Sequence, residues 1–271
     1  MAVSSFAQKY FSAQLDTEEG RAVGLSYFRK RGFRDDILKK FQLGYSPEER
    51  KAFSTEAGKN GYKRSYLVTT GLSIERDNYL FDRFAGRVMF PIHSLSGNVI
   101  GFGGRTLRSD KKIAKYLNSP ESDLYHKSKV LYGLYQAKKS IVSKERCFLV
   151  EGYTDVISMH QAGIENVVAS SGTALTTDQI RLIKRFSSNI TILYDGDEAG
   201  IRASFRGIDM ILEEGMNVKV VMLPEGEDPD SYAQSHSSSE FLEYIKNIFH
   251  YQTHNFRFVF DIVMCHGKGN T

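Results

Sequence analysis

The sequence CFLVEGYTDV at residues 147–156 places a glutamate, Glu151, directly after a short apolar run. The same pattern occurs in ITILYDGDEAG at residues 190–200 and in VKVVMLPEGEDPD at residues 218–230. Apolar runs of this kind, without polar alternation, are typical of strands that are buried on both faces of a sheet. Each of three predicted strands therefore ends in carboxylates.

Helical segments separate these strands. We predict helices over residues 154–162, 176–186 and 198–214, with Thr176 or Thr177 as the N-cap of the second, and a further strand over 166–171. Strands that alternate with helices, without tight hairpin turns, indicate a parallel sheet covered on both faces. Because ligands of such sheets bind beyond the carboxyl ends of the strands, the acids fall where a ligand site is expected.

Carboxylates that converge at one edge of a sheet repel one another unless a cation lies between them. A hard divalent cation with oxygen ligands is the usual solution, so the pattern predicts a magnesium-type metal centre. Helix capping is the alternative for Asp155 and Glu198, which lie near predicted helix starts. Capping explains Asp195 and Asp197 less well, since two acids around one glycine exceed what a cap needs.

Composition limits the class of protein. The 271 residues are 41% hydrophobic and 25% charged, which is typical of an ordinary globular chain long enough for two domains. The sequence has only two cysteines, which predicts a reducing cytoplasm. It shows neither an apolar run of membrane length nor a secretory leader, which predicts a soluble protein. Residues 1–130 carry 23 Lys and Arg against 14 Asp and Glu, whereas residues 131–271 carry 13 against 18. This asymmetry favours a polyanionic partner, although a net charge of +4 also simply aids solubility.

The basic half contains a predicted antiparallel hairpin, formed by residues 87–93 and 98–104. Its GFGG sequence at 101–104 lies in a strand and lacks the following helix of a dinucleotide-binding loop, so we reject that function. Basic and aromatic residues surround the hairpin: Arg83, Arg87, Arg105, Arg108, Lys111, Lys112, Lys115, Lys127 and Lys129, with Phe84, Phe102, Tyr116 and Tyr125. Such a mixture suits single-stranded nucleic acid, and the alternative is a solvated loop with its rings in the core.

The rest of the chain offers little chemistry. Residues 115–120 form a predicted polar connector without regular period, in which Lys115, Tyr116 and Asn118 are candidate contacts for phosphate, sugar or base. Helices are predicted over 6–15, 17–31 with an imperfection at Gly24, 35–41, as a pair within 50–71, over 131–143 and over 240–260. The spacing of Val23, Tyr27 and Phe28 predicts one buried helix face. His250 and His254 have no third ligand nearby, which argues against a metal site.

Two of the quoted motifs resemble a known domain. EGYTDV at 151–156 and YDGDEAG at 194–200 resemble the signature motifs of the Toprim domain of primases, topoisomerases and some nucleases. RVMFPI at 87–92, VIGFGGR at 99–105, KYLNSPE at 115–121, LYGL at 131–134 and GEDPD at 226–230 are similar to bacterial DNA primases of the DnaG type. The resemblance extends from about residue 11 to 232.

The resemblance implies an α/β protein in three parts. Residues 1–130 are expected to form a basic α+β N-terminal subdomain, 131–235 a Toprim catalytic domain with a parallel sheet, and 236–271 a C-terminal helical segment that is truncated. Neither a zinc-ligand set nor a helicase-binding domain is expected in this chain, so we interpret it as a fragment of a longer primase.

The implied function is the synthesis of short RNA primers on a single-stranded DNA template from NTPs, by metal-dependent nucleotidyl transfer. The expected cofactor is Mg²⁺, with Mn²⁺ as the alternative. A replicative helicase and a single-strand binding protein are the expected further partners, and the expected location is the nucleoid-associated cytoplasm of a bacterium, with no membrane. By motif, the metal-binding acids are Glu151, Asp155, Asp195, Asp197, Asp228 and Asp230, of which Glu151, Asp195 and Asp197 are assigned to catalysis. The nucleotide and template residues are Arg83, Arg87, Arg105, Lys115, Tyr116, Asn118 and Lys127.

Three other functions fit parts of the sequence. A Toprim nuclease or topoisomerase would cut DNA, but the motifs make Tyr153 and Tyr194 structural neighbours of the acids rather than nucleophiles. A non-catalytic fragment would bind single strands only, and it would keep binding after Asp195→Asn. A phosphatase would need a Gly-Thr pair after Asp197, which the sequence lacks. Whether Glu151 acts as a metal ligand or as a proton acceptor stays open.

Overall fold

A computed structural model describes residues 1–110, 112–170, 172, 174–194, 207–224 and 226–246. The chain begins with helix α1 (Ala2–Gln14). A second helical stretch starts at α2 (Glu18–Gly20), whose N-cap Thr17 accepts a hydrogen bond from the Gly20 amide, and continues through a π-helical segment (Arg21–Leu25) into α3 (Ser26–Lys30). The predicted imperfection at Gly24 lies in this π-helical segment. A Cβ there would approach Tyr45 Cβ to 2.7 Å, so the helix packs closely on the neighbouring strand.

Helix α4 (Asp35–Lys40) leads to strand β1 (Gly44–Ser46), and the predicted helix pair within 50–71 is α5 (Ala52–Lys59) and α6 (Arg64–Thr69). A small hairpin of β2 (Ser73–Arg76) and β3 (Tyr79–Asp82) follows, for which the sequence shows no clear pattern. Its turn uses two non-glycine residues with positive φ, Asp77 and Asn78. Without the glycine that usually marks such a turn, the sequence signal is weak.

The first large sheet is antiparallel and has the order β1-β4-β5-β6. Strands β4 (Arg87–His93) and β5 (Val99–Thr106) confirm the predicted hairpin. The prediction of an irregular connector over residues 115–120 was wrong, because β6 (Tyr116–Asn118) pairs with β5 at Gly103, Gly104 and Arg105. This strand has no periodic pattern of its own and forms through its pairing with β5.

The second sheet confirms the predicted parallel architecture. It has the order β10-β9-β7-β8, formed by β7 (Cys147–Val150), β8 (Val167–Ala169), β9 (Asn189–Tyr194) and β10 (Asn217–Met222). The associated helices are α7 (Leu134–Lys144), α8 (Tyr153–Gln161), α9 (Thr177–Lys184) and α10, described over residues 207–213.

Local capping chemistry matches the sequence at α9. The Thr176 hydroxyl accepts from the Gln179 amide at 3.2 Å, and the Gln179 side chain accepts from the Thr176 amide at 3.1 Å. Helix α7 begins later than predicted, because Tyr132 forms a bridge to Ala169 and Gly133 adopts a φ of +81°.

Two further helices follow the parallel sheet, α11 (Pro229–Ser235) and α12 (Ser238–Lys246). The rest of the helix predicted over 240–260 lies outside the described residues, as do His250, His254 and the first part of the helix predicted over 198–214. Within the described part of the chain, no helix has both the length and the apolar character that a membrane span needs.

The two large sheets share one hydrophobic core. Phe90 of the antiparallel sheet and Phe148 of the parallel sheet belong to the same buried cluster, together with Tyr132 and Tyr153. A second cluster covers the opposite face of the parallel sheet, where Leu149 and Ile192 pack beneath α7, α9 and α10. The carboxyl end of β7 is consequently held next to β6 of the other sheet.

Candidate active site

A cavity of about 780 Å³, here called the central cavity, lies between β6 and the carboxyl end of β7. Its lining includes four of the seven residues predicted to bind nucleotide or template, together with the predicted catalytic acid Glu151. The four are Arg83, Tyr116, Asn118 and Lys127. The packing of the two sheets therefore places cations, an aromatic ring and an acid around one space.

Glu151 is exposed at the rim of this cavity, immediately after β7. The next residue, Gly152, is the N-cap of α8, and its amide donates to Asp155 Oδ2 at 2.8 Å. Asp155 is buried and forms the capping box of this helix, as the alternative interpretation of the sequence expected. This cap fixes the turn between β7 and α8, and Glu151 lies in that turn.

The acids after β10 make hydrogen bonds and an ion pair. Asp228 caps α11, its Oδ1 accepting from the Ser231 amide at 2.7 Å. Asp230 is only 4% exposed and forms an ion pair with Arg31. It also accepts hydrogen bonds from Ser158 and Gln234. Metal binding by Asp228 and Asp230 stays a prediction, and any ion there would compete with these partners.

The remaining predicted metal ligands, Asp195 and Asp197, lie outside the described residues. Of the residues that the structure describes, no group of three or more His, Cys, Asp and Glu side chains is placed to hold a metal ion. Strand β9 ends at Tyr194, the residue before Asp195, and it pairs directly with β7, which ends before Glu151. Two adjacent strands of the described sheet thus end at the residues that precede Glu151 and Asp195.

Tyr153 joins the two sheets at the cavity wall. Its hydroxyl donates to Asn118 Oδ1 at 2.7 Å, and its ring stacks on Phe90 with 5.1 Å between centroids and 11° between planes. Tyr132 meets the same ring edge-on at 4.6 Å. A Cβ at Gly103 would lie 2.5 Å from the Tyr153 ring, so the lack of a side chain at this position allows close packing between the sheets.

The other three predicted basic residues lie elsewhere. Arg87 is buried, and its Nη1 donates to the carbonyl oxygens of Gly104 and Ala114, each at 3.1 Å. Burial, with a smaller contribution from the nearby Arg108, lowers the pKa of Arg87. Arg87 therefore braces β5 against the loop before β6, which is a structural use of its charge.

Arg105 and Lys115 line a second space of about 830 Å³, here called the lateral cavity, on the side of α3. Arg105 Nη1 donates to the Tyr116 hydroxyl at 3.2 Å. Because Tyr116 also lines the central cavity, this hydrogen bond connects the walls of the two spaces.

Two cations of the central cavity have different environments. Arg83 also lines a groove with Arg50 and Arg108, and burial lowers the pKa of its guanidinium. Lys127 Nζ donates to the Gly172 carbonyl at 3.1 Å, which holds the ammonium near the loop after β8.

The sequence pattern assigns Tyr27 only to a buried helix face, and it gives Arg31 no role. The structure places Tyr27 at the wall of the lateral cavity and Arg31 against Asp230. Only the unusual density of charge at residues 29–31, next to an aromatic pair, signals a site in the sequence.

Comparisons with known proteins agree with this architecture. Residues 10–138 match the family described as "DNA primase catalytic core, N-terminal domain", and residues 148–233 match the family described as "Toprim-like". The chain is 43% identical over 244 residues to a DNA primase of Halalkalibacterium halodurans, a match that covers 89% of this chain and 40% of that protein. The chain thus spans about two fifths of the length of that curated relative.

Solved structures give the same result. The E. coli primase catalytic core is similar with a TM-score of 0.85 and 35% identity, over 92% of this chain and 80% of that one. A DnaG primase catalytic domain bound to ssDNA is similar with a TM-score of 0.84 and 34% identity, over 92% and 81%. The fold and the site together define a catalytic core that carries a Toprim domain. The chain belongs to the family of DnaG-type DNA primases and corresponds to their catalytic core.

Proposed function

We propose that this chain synthesises short RNA primers on single-stranded DNA from NTPs, as the core of a longer bacterial primase. The observation that carries the proposal is the central cavity, which joins Glu151 to Arg83, Lys127, Tyr116 and Asn118. A polymerase that joins nucleotides must bind a triphosphate, a template base and a metal ion in one place. Cations, a stacking ring and a carboxylate meet those three needs.

Toprim domains and primase catalytic cores use divalent metal ions. The donor chemistry of this site fits such an ion, because Glu151 presents exposed carboxylate oxygens at the carboxyl end of β7. We propose that Glu151, Asp195 and Asp197 hold Mg²⁺, or alternatively Mn²⁺. A bound ion would offset the negative charge that gathers on the phosphate oxygens during transfer. Asp155, Asp228 and Asp230 are the further proposed metal ligands, in addition to the helix caps that Asp155 and Asp228 form and the ion pair that Asp230 forms with Arg31.

Each of the other described residues of the central cavity has a proposed role in binding the substrate. Arg83 and Lys127 bind phosphate oxygens by charge, and Tyr116 offers a ring on which a base can stack. The Tyr153 hydroxyl holds Asn118 in place at the cavity wall, where its amide can contact sugar or base. Glu151 serves as metal ligand or proton acceptor, adjacent to the helix start that Gly152 forms.

Further proposals follow from the family. One similar structure contains single-stranded DNA, which we propose as the template here. A replicative helicase and a single-strand binding protein are proposed partners of the full-length protein, acting in the bacterial cytoplasm. We keep the boundaries 1–130, 131–235 and 236–271 as the proposed division of this chain into subdomains.

The test is ribonucleotide polymerisation on an unstructured single-stranded DNA template with Mg²⁺ or Mn²⁺. We expect RNA products from the wild-type chain, and a loss of about 100-fold or more in Glu151→Gln and Asp195→Asn. Template binding, measured by fluorescence anisotropy, should be unchanged or tighter in both variants. Glu165→Gln is the matched control, because Glu165 lies two residues before β8 at the opposite, amino end of the parallel sheet.

Two outcomes would refute the proposal. Cleavage of the template without nucleotide addition would assign the chain to the Toprim nucleases. Template binding with no synthesis under any metal would identify a non-catalytic single-strand binding fragment.

A further inference from the structure

The lateral cavity has the charge of an anion site. Among the described residues that line it are four cations, Lys30, Arg105, Arg108 and Lys115, and a single acid, Asp110. Arg108 is paired with Glu48. Within the described chain, Lys30, Arg105 and Lys115 have no carboxylate partner, so their charge is available to a ligand.

Two aromatic rings hold the Arg105 guanidinium. Its central carbon lies 5.0 Å from the centroid of the Tyr27 ring and 5.5 Å from that of Tyr116. The Arg31 guanidinium lies 5.4 Å from the Tyr27 centroid as well. The face of an aromatic ring attracts a cation, so Tyr27 stabilises two neighbouring positive charges that would otherwise repel each other.

Both guanidinium groups have a second anchor. Arg31 pairs with the buried Asp230 of α11, and Arg105 donates to the Tyr116 hydroxyl at 3.2 Å. The Tyr27 ring lies between the two guanidinium groups. It is itself fixed by the adjacent Phe28, a fully buried ring whose centroid is 5.4 Å away.

The ring of Tyr27, and not its hydroxyl, makes these contacts. The hydroxyl oxygen is buried, and no described residue offers it a hydrogen bond. Burial raises the pKa of Tyr27 to about 12, so the side chain is neutral at physiological pH. A buried hydroxyl without a partner lowers stability, which means that phenylalanine should serve this position at least as well.

We propose that Tyr27 is a positioning residue: its ring sets the place of the Arg105 guanidinium in the lateral cavity, where Arg105, with Lys30 and Lys115, binds phosphate oxygens. These phosphates come from the incoming NTP or from the backbone of the template. This inference rests on the proposed function for the identity of its ligands. It adds a residue that acts through Arg105 without touching the ligand itself.

The experiment compares Tyr27→Leu, Tyr27→Phe, Arg105→Ala and the double variant Tyr27→Leu/Arg105→Ala. One arm measures KM for NTPs and kcat during RNA synthesis. The other measures the Kd of a labelled single-stranded oligonucleotide by anisotropy, which requires no catalysis. Tyr10→Leu is the matched control, since Tyr10 is also half-buried and packs against Phe11 and Phe53, and no cation lies over its ring in the described chain.

We expect Tyr27→Leu to raise either the NTP KM or the oligonucleotide Kd by about three- to tenfold, with kcat within about twofold of wild type. The arm that responds identifies the source of the phosphate. Tyr27→Phe and Tyr10→Leu should behave as wild type. In the Arg105→Ala background, Tyr27→Leu should add no further loss, because its effect passes through Arg105.

Several results would overturn the inference. Additive losses in the double variant would show that Tyr27 acts independently of Arg105. A loss in Tyr27→Phe equal to that in Tyr27→Leu would assign the role to the hydroxyl. A Tyr27→Leu chain that melts like wild type and has unchanged KM and Kd would exclude the positioning role. If wild type binds the oligonucleotide but makes no RNA, the proposed function fails while the anisotropy arm still tests Tyr27.

Discussion

Replacing Gly103 by alanine should destabilise the contact between the two sheets. The new Cβ would lie 2.5 Å from Cζ of Tyr153 and 2.6 Å from its Cε2 and Oη. Carbon atoms in contact prefer a separation of about 3.5–4.0 Å, so the ring or the strand must move by about 1 Å. Neither moves easily, because Phe90 and Tyr132 hold the ring, while β5 is paired on both edges.

The expected cost follows from overpacking in a closed core, for which about 1–3 kcal/mol is typical. We expect Gly103→Ala to lie near the upper end, about 3 kcal/mol, since backbone and ring are both constrained. The free energy of unfolding is measured by urea denaturation followed by circular dichroism. RNA synthesis should fall as well, because a displaced Tyr153 shifts the chain that carries Glu151 and Gly152.

Gly58→Ala is the matched control. Gly58 lies within α5 and has no atom within 4 Å of the position of an added Cβ, so alanine should stabilise the helix by up to about 1 kcal/mol. In Gly103→Ala/Tyr153→Leu, the loss should be smaller than the sum of the two single losses, because the clash is gone. A Gly103→Ala chain whose free energy of unfolding lies within about 0.5 kcal/mol of wild type would refute the close packing of Gly103 against Tyr153.

Two further predictions concern buried ionisable side chains. Arg31→Gln leaves the buried Asp230 carboxylate without its cation and should lower the free energy of unfolding by about 3 kcal/mol. This value is at the low end for a broken buried ion pair, because the Arg31 side chain is 26% exposed. Arg34→Gln, in an exposed pair, is the control, and urea curves that coincide for both variants would contradict the prediction. Burial lowers the pKa of His160 to about 3, so below pH 6.5 the unfolded chain binds a proton that the folded chain does not, and stability falls as pH falls. His160→Leu should reduce this loss of stability by about 1.5 kcal/mol between pH 6.5 and 5, measured by urea unfolding at both pH values. The control His126→Gln, at an exposed histidine, should leave the loss as it is in wild type. If the free energy of unfolding falls equally with pH in wild type and His160→Leu, the mechanism is excluded.

Much of the fold follows from local patterns in the sequence. Unbroken apolar runs predicted the strands of the parallel sheet, and the apolar runs around residues 94–97 predicted the β4–β5 hairpin. The Thr176 cap was predictable because its partner, Gln179, is three residues away in the chain. These features are predictable because each depends on residues that are close in the chain, within about one or two helical turns, or on the side-chain period of a single helix or strand.

The candidate site was predictable only in part. The positions of the carboxylates after strand ends predicted the edge where Glu151 meets the central cavity. The functions of individual cations were not readable, because Arg83, Arg87 and Arg105 occur in similar surroundings in the sequence. In the folded chain, Arg83 lines the central cavity, Arg87 donates hydrogen bonds to backbone carbonyls, and Arg105 lines the lateral cavity.

The sequence by itself determined the class of fold, the order of the strands in the parallel-sheet half of the chain and the edge at which Glu151 lies, because periodicity records which face of each element is buried. Only the tertiary structure decided that β6 is a strand, that Tyr27 contacts Arg105 and that Arg31 reaches Asp230. These contacts join residues that lie from 11 to 199 positions apart in the chain. Their partners depend on how the two sheets pack, and no local pattern encodes that arrangement.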